Sequence, residues 1–404
     1  VGIYFTLKKI ILINNYLIIF FEFSQNWIAM KKKVVFLVRD LNYGGAQRQL
    51  VTLVNQIDKQ LFDVSLVYFY ANGLLLKDLK DDTCQAICIK KNGRWDIFGF
   101  YFRLLQQLKI LQPDILHGYL GESNLFSILL KPFFPFTRII WGIRESNMPN
   151  NRFGAIGQIL AQLEVMLSFF ADLIIVNSHC GKDYYQSKGF SPQKMVVISN
   201  GIDTHRFQPD ATAGAKVRSE WGITDDTILI GLVGRLDPMK DHPNFFRAAA
   251  VIAAERQDVR FVCIGVGGAE KYAAELQQLS EDLGIADRVI WAGGRSDMPA
   301  VFNALDICCS ASAYGEGFPN VVGEAMACGT PSVVTDVGDA VWIVGDLGVF
   351  VPPQNPEALQ LALNQSLRKL PLDRASSAEI RAHIVDRFSV EQLVLNTQAA
   401  LLDR

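Results

Sequence analysis

Short runs of β-branched and aromatic residues alternate with longer amphipathic stretches along this chain, and they do so in two series. The first series of runs is "KVVFLV", "DVSLVYF", "DILH", "RIIWGI" and "LIIVNS". Each is apolar at nearly every position, which is the pattern of a strand covered on both faces. Between them "AQRQLVTLVNQI", "IFGFYFRLLQQLKIL" and "GAIGQILAQLEVMLSFF" read as helices. The second series is "TILIGLVG", "RFVCIG", "RVIWAG", "DICCSAS", "PSVVTD" and "GVFVP", with helices that include "PNFFRAAAVIAAE" and "KYAAELQQLSEDLG". Alternation of this kind builds parallel, doubly wound sheets with helices on both faces.

The break between the series lies near "FQPDATAGAKVRSEWGITDD", where small and polar residues interrupt the periodicity. We therefore expect an α/β protein of two Rossmann-like domains, over residues 30–206 and 207–385, with ligands in a cleft at the carboxyl ends of the strands. Residues 386–404 form a last helical segment, with Ser389 as its N-cap. Residues 1–29 contain "KKIILINNYLIIFFEF", whose apolar runs fall short of the roughly 20 residues of a spanning helix. Met30 then opens "MKKKVVFLVRD". The expectation is an N-terminal extension outside the fold, with a membrane-associating helix as the alternative.

A formal net charge of −2 gives no bulk attraction to nucleic acid. The seven cysteines are odd in number and form no CxxC pair, as expected of reduced, mostly buried thiols in a cytosolic protein. The five histidines are too dispersed for a metal cluster, and no D-x-D element occurs.

Chemical side chains collect in the second half. Arg235 and Lys240 follow a strand and precede a helix, the makings of an anion site in which N–H groups and cations act together. In "YGEGFPNVVGEAMACG", residues 314–329, Pro319 suits the first helical position and Gly329 the end. Glu316 then lies on the turn and Glu324 about one helical turn inside. Ionised carboxylates accept hydrogen bonds and do not donate them, which suits them to the adjacent hydroxyls of a sugar or ribose.

"GRLDPMKD", "GVGGAE", "WAGGRSDMPAVFNALDICCSAS", "EGFPNVVGEAMACGTPSVVTDVGD" and "VISNGID" resemble segments of the family 4 glycosyltransferases of the GT-B fold, including the E-x7-E element. The resemblance implies retaining transfer from a nucleotide-diphosphate sugar, with no cofactor beyond that co-substrate and no metal. It implies a C-terminal helix that crosses back to the first domain. Glu324 would hold ribose hydroxyls and Glu316 the donor sugar, while Arg235 and Lys240 would hold the diphosphate. Gly317, Phe318, Pro319 and Asn320 would present backbone groups. Gly293 and Arg295 fall where the family seats the base, and Gly44 and Gly45 match the glycine loop of the opposite wall. His117 falls near a position where members often carry a histidine facing the donor sugar. Tyr119 stands where many carry a second one, and the sequence leaves open which of the two faces the sugar. The implied acceptor is a sugar or lipid-linked sugar of surface-polysaccharide assembly, reached from the cytoplasm with a peripheral membrane contact.

Rival readings fare worse. "IGVGGAEKY" has Glu270 at the third glycine position of a dinucleotide fingerprint. A glycosidase would use Glu316 and Glu324 as acid and base, but has no need of the Arg235–Lys240 site. A nucleotide-sugar epimerase or hydrolase on the same fold, or an inactive nucleotide-sugar-binding subunit, remains as the alternative.

Overall fold

The computed structural model of the protein describes residues 6–13, 16–22, 31–71, 73–80, 83–93, 95–144, 154–268 and 270–403. Among the described residues the strands form three sheets. The first two strands, β1 (Thr6–Ile13) and β2 (Tyr16–Glu22), pair antiparallel and join neither of the other sheets. The segment for which a membrane-associating helix was the alternative is therefore a hairpin. Two runs of Ile, Leu and Phe flank Asn14–Asn15, which is hairpin composition. The remainder of residues 1–29 lies outside the described residues.

The second sheet is parallel and contains β3 (Lys32–Val38), β4 (Phe62–Tyr68), β5 (Gln85–Cys88), β6 (Ile115–Tyr119), β7 (Arg138–Ile143), β8 (Leu173–Val176) and β9 (Met195–Val197). Its order is β5-β4-β3-β6-β7-β8-β9. The chain works outward from β3, returns to β6 beside it, and works outward the other way. That reversal leaves a crevice at the carboxyl ends of β3 and β6. The third sheet repeats the plan with β10 (Ile228–Val233), β11 (Val259–Ile264), β12 (Val289–Gly293), β13 (Ile307–Ser310), β14 (Ser332–Thr335) and β15 (Val349–Val351). Its order, β12-β11-β10-β13-β14-β15, reverses between β10 and β13.

Both faces of the second and third sheets are buried, as the unbroken apolar runs require. Val34, Phe36 and Val38 share a core with Leu50 and Leu53 of the helix Gly45–Gln56. Val35 and Leu37 face the other way, toward Leu104 and Leu108 of the helix Phe98–Leu111. In the second domain Ile230 and Leu232 meet Phe245 and Phe246 of the helix His242–Glu255. Leu229 and Val233 share a core with Val322 and Met326 of the helix Asn320–Ala327. Each such side chain contributes about 1.5–3 kcal/mol by leaving water.

The chain crosses between domains twice, and the crossings touch. The helix Arg374–Phe388 lies on the second core through Ile380, Ile384 and Phe388. It stops at Ser389, and the helix Val390–Leu402 returns to the first domain, as expected of the fold. There Val390, Leu393, Val394 and Leu401 enter the first core, and Arg138 Nη1 donates to the carbonyls of Ala400 and Leu401 at 2.9 and 3.0 Å. Ser389 stands at the N-cap position, but its side chain makes no capping bond. At the other crossing Ile202 N donates to Phe388 O at 2.7 Å, and Val390 N donates to Ile202 O at 3.1 Å. The Gln49 side chain clasps Gly201, donating to its carbonyl and accepting from its N–H, both at 2.8 Å.

Candidate active site

β13 ends at Ser310, and the chain turns before entering the helix Asn320–Ala327. Glu316 lies on this turn, only 8% exposed. Its Oε1 accepts from Lys240 Nζ at 2.5 Å and from Ser312 Oγ at 2.7 Å. The turn is braced from below: Thr335 Oγ1 donates to Ser312 O at 2.6 Å, and Asp339 N donates to Gly317 O at 2.8 Å. A Cβ at Gly338 would come within 2.6 Å of the Glu316 and Gly317 carbonyls, so only glycine fits. Lys240 reaches Glu316 along Gly234, where a Cβ would sit 3.0 Å from the lysine stem. Burial pushes the Glu316 carboxyl up. The Lys240 ammonium, the Ser312 hydroxyl and Arg235 more than offset this and hold it below the ordinary range.

Glu324 is equally buried, at 7% exposure, and its Oε1 lies 3.2 Å from Arg48 Nη2. Here burial wins: the carboxyl is pushed up, and Arg48 and Arg206 offset this only in part. One wall thus presents two carboxyls with opposite tendencies. One is firmly ionised against a cation; the other is held across the cleft by a guanidinium.

The anion site beside Lys240 needs correcting. The helix that follows is already capped by Asp241, whose Oδ1 accepts from Asn244 N at 3.2 Å, so its first turn holds a carboxylate of its own. The free N-terminus belongs to Asn320–Ala327, which carries no side-chain cap. Pro319 sits at the N-cap and not in the first helical position, because its ψ of 93° is extended; Asn320 opens the helix. Phe318 is turned into the core against Phe388, with ring centroids 5.5 Å apart, which leaves its backbone for the cleft.

The first domain supplies the facing wall. A Cβ on Gly45 would lie 3.6 Å from Asn320 Nδ2, so this loop stands directly over the free helix end. Gly44 precedes it as the N-cap of Gly45–Gln56. Asn320 Oδ1 accepts from Asn200 Nδ2 at 2.9 Å. The Asp339 carboxylate accepts from His179 N at 2.8 Å and Cys180 N at 3.0 Å, capping the helix His179–Ser187 from the opposite domain.

Next to Arg235, which is exposed beyond β10, a hollow of about 360 Å³ opens at the ends of β11 and β12. Leu236, Gly265, Gly267, Trp291 and Gly293 are among its lining residues. Gly265 and Gly268 have φ of +150° and +83°, and a Cβ on either would sit 1.9 Å from a backbone carbonyl. Their loop can therefore close against β10 only as glycine. Gly293 borders the hollow. Arg295 is not among the lining residues. Its Nη1 lies 2.5 Å from Glu220 Oε1 and its Nη2 2.7 Å from Asp297 Oδ2. Two flanking carboxylates hold the guanidinium there.

His117 lies on β6, fully buried, with its ring 5.2 Å from Phe36 and 5.6 Å from Tyr119. Burial, helped by Arg144, lowers its pKa to about 3, so the imidazole is neutral. Tyr119, two residues on, shares the same strand face and is buried as well.

Arg48, Ser312, Asn200 and Asp339 escaped the sequence reading. Arg48 is separated from Glu324 by 276 residues and Asn200 from Asn320 by 120, so no local spacing betrays either pair. Ser312, four residues before Glu316, was the one with a local signal.

Facing Rossmann-like domains tied by a returning C-terminal helix define the GT-B class of protein. Anabaena HepE, solved with UDP, superposes with a TM-score of 0.80 at 20% identity, over 91% of this chain and 99% of that one. The same protein with UDP-glucose gives a TM-score of 0.79 at 21% identity, over 91% of this chain and 99% of that one. Residues 43–206 match the model described as Glycosyltransferase Family 4, and residues 215–382 that described as Glycosyl transferases group 1. The chain belongs to the family 4 glycosyltransferases. A D-inositol 3-phosphate glycosyltransferase of Mycobacteroides abscessus is 34% identical over 49% of this chain and 44% of its own length. The N-acetylgalactosamine-N,N'-diacetylbacillosaminyl-diphospho-undecaprenol 4-alpha-N-acetylgalactosaminyltransferase of Campylobacter jejuni is 26% identical over 89% of this chain and 97% of its own. The chain spans about half the length of the first curated relatives it matches.

Proposed function

We propose that the protein transfers a sugar, with retention, from a nucleotide-diphosphate sugar to an acceptor hydroxyl. The observation that carries this reading is the Lys240–Glu316 pair beside an uncapped helix N-terminus, with Glu324 one turn in and Gly45 directly above. Lys240, Arg235 and the free N–H groups of Asn320–Ala327 hold the diphosphate and stabilise the charge that grows on it as the glycosidic bond breaks. Glu316 and Glu324 accept from the hydroxyls of the two sugars of the donor. The glycine-lined hollow takes the base. The acceptor hydroxyl attacks from the leaving-group side, and a phosphate oxygen takes its proton. Neither glutamate serves as nucleophile in this scheme, since Glu316 is ion-paired and Glu324 is tied to Arg48.

The acceptor is a sugar or lipid-linked sugar, and the setting surface-polysaccharide assembly at the cytoplasmic face of a membrane. The Campylobacter relative, named for a diphospho-undecaprenol acceptor, supports a lipid-linked one. So do large apolar side chains left exposed on the first domain, among them Phe98, Phe136, Met166 and Phe169. Among the described residues no helix is long and apolar enough to cross a membrane. The test is a panel of nucleotide sugars screened by thermal shift, followed by turnover with and without saccharide acceptors. A bound donor raises the unfolding temperature by mass action. Turnover without acceptor would replace this reading with a hydrolase, and binding with no turnover would replace it with a binding subunit.

A further inference from the structure

Arg144 follows β7 by one residue, and its side chain is 8% exposed as part of a buried face. Its guanidinium carbon stands 4.5 Å over the centroid of the Tyr119 ring. None of its three nitrogens has a hydrogen-bond partner, and no acidic side chain among the described residues pairs with it. The groups around it are equally unsatisfied. Both ring nitrogens of His117 and the Tyr119 hydroxyl are buried without partners.

The sequence assembles these groups by strand register. His117 and Tyr119 point to one face of β6, and β7 pairs beside it with Tyr119 opposite Gly142. Arg144 lies two residues past Gly142, on that same face. Gly142 keeps the place open, since a Cβ there would come 3.1 Å from His117 Nε2 and 3.3 Å from the Tyr119 ring. Directly after Tyr119, Leu120 adopts φ 73° and ψ 161°, a region that only glycine ordinarily occupies. Strain of this kind gathers at functional sites and persists where the surroundings enforce it.

An uncompensated buried cation is among the most costly features a fold can carry, and a stacked ring face replaces only part of its lost hydration. Here the cation is retained over the Tyr119 ring and beside a neutral imidazole, with no carboxylate among the described residues to balance it. We propose that Arg144, Tyr119 and His117 form an oxyanion subsite of the first domain that takes a phosphoryl group other than the donor's diphosphate, carried by the acceptor. A guanidinium fork, a phenol and an imidazole N–H offer more donors, in more directions, than the two oxygens of a carboxylate accept, and three phosphoryl oxygens match them better. The subsite belongs to the first domain, whereas Lys240 and Arg235 belong to the second. It rests on the glycosyltransfer reading only for the identity of the molecule that brings the phosphoryl group.

The probe is inorganic phosphate, titrated into the full chain with saturating UDP present to fill the donor site, and the readout is the unfolding temperature. The wild-type protein is expected to keep a phosphate-dependent rise, and Arg144→Gln to need about tenfold more phosphate or worse, the size of a lost charge-assisted bond. Tyr119→Phe weakens the response less, and Arg144→Lys restores part of it. Without phosphate, Arg144→Gln should unfold no earlier than wild type, because an unpaired buried charge has been removed. A cation that merely braces Tyr119 would give a lower unfolding temperature in that variant, and this would overturn the proposal. A parallel series without UDP uses the Lys240→Met/Glu316→Gln variant, which lacks the donor cation and should keep the phosphate response. That arm reads out even if UDP fails to bind, so failure of the donor reading is seen separately, as a missing UDP response in wild type. The subsite does not exist if wild type shows no phosphate response, if Arg144→Gln responds like wild type, or if only the Lys240→Met/Glu316→Gln variant loses it.

Discussion

Arg48 and Glu324, one from each domain, meet across the cleft with Nη2 3.2 Å from Oε1. The contact joins the helix that follows the glycine loop to the helix that carries the carboxyl proposed to hold the donor's ribose. Arg48 therefore offsets part of the upward push that burial gives the Glu324 carboxyl.

Replacing Arg48 with Met should push the Glu324 carboxyl further up. The acidic limb of donor binding then moves to higher pH, because only the ionised carboxylate accepts from both hydroxyls. The check is the pH profile of nucleotide-sugar binding; superimposable profiles would remove Arg48 from the site.

The Lys240–Glu316 pair should separate stability from function. Lys240→Met leaves a buried carboxylate without its cation and should cost about 3–5 kcal/mol of stability. Glu316→Gln alone strands the ammonium, and the double variant Lys240→Met/Glu316→Gln should recover most of the unfolding temperature. None of the three should transfer sugar at more than about a tenth of the wild-type rate, given roughly 1.5–3 kcal/mol for each charge-assisted bond lost. Unfolding temperatures and transfer rates measured on the same preparations decide it.

The two glutamates also predict opposite signs in acid. Glu316 is held below the ordinary carboxyl value, so its stabilisation is present above that value and fades as pH falls through its depressed one. Glu324 is raised, so its contribution is present below the ordinary value and is lost as pH rises through the elevated one. Near neutral pH, Glu324→Gln should therefore be neutral or stabilising and Glu316→Gln destabilising. Unfolding temperature across the acid range reads both; shifts of the same sign would contradict the assignment.

Sugar transfer should survive excess EDTA, since the proposed phosphate grip is made of Lys240, Arg235 and backbone N–H groups. Loss of activity restored by magnesium or manganese would mean the diphosphate is held some other way.

Removing residues 389–404 should harm the first domain more than the second. Val390, Leu393, Val394 and Leu401 belong to the first core, and their loss opens it to water. Nucleotide binding should outlast transfer in this shortened chain, which equilibrium binding and turnover can compare.

The sheets were legible because parallel strands buried on both faces read as unbroken apolar runs, and "KVVFLV" and "TILIGLVG" are of that kind. The glutamate spacing was legible because a turn followed by a helix is a local event. What sequence did not disclose was ownership. Asp241 claims the helix end beside Lys240, and Glu220 with Asp297 claims Arg295, although Glu220 lies 75 residues away. Charge pairing acts through space, and no periodicity records it. The pairing of Thr6–Ile13 with Tyr16–Glu22 was not legible for a different reason: the length of their apolar runs speaks to a membrane span and not to which run pairs with which.

The two crossings between the domains run side by side, and the hydrogen bonds from Ile202 to Phe388 and from Val390 to Ile202 bind them into one strap. A single connecting strand leaves two bodies free to twist and slide. A double strap, clasped by Gln49 at Gly201, leaves them one easy rotation, about the line of the strap. Opening the cleft is then a swing that parts Gly45 from Asn320 while the core on either side stays packed. Because the halves remain tethered, each closure is a unimolecular event with a fixed path, and the docking of one wall on the other carries no dependence on protein concentration.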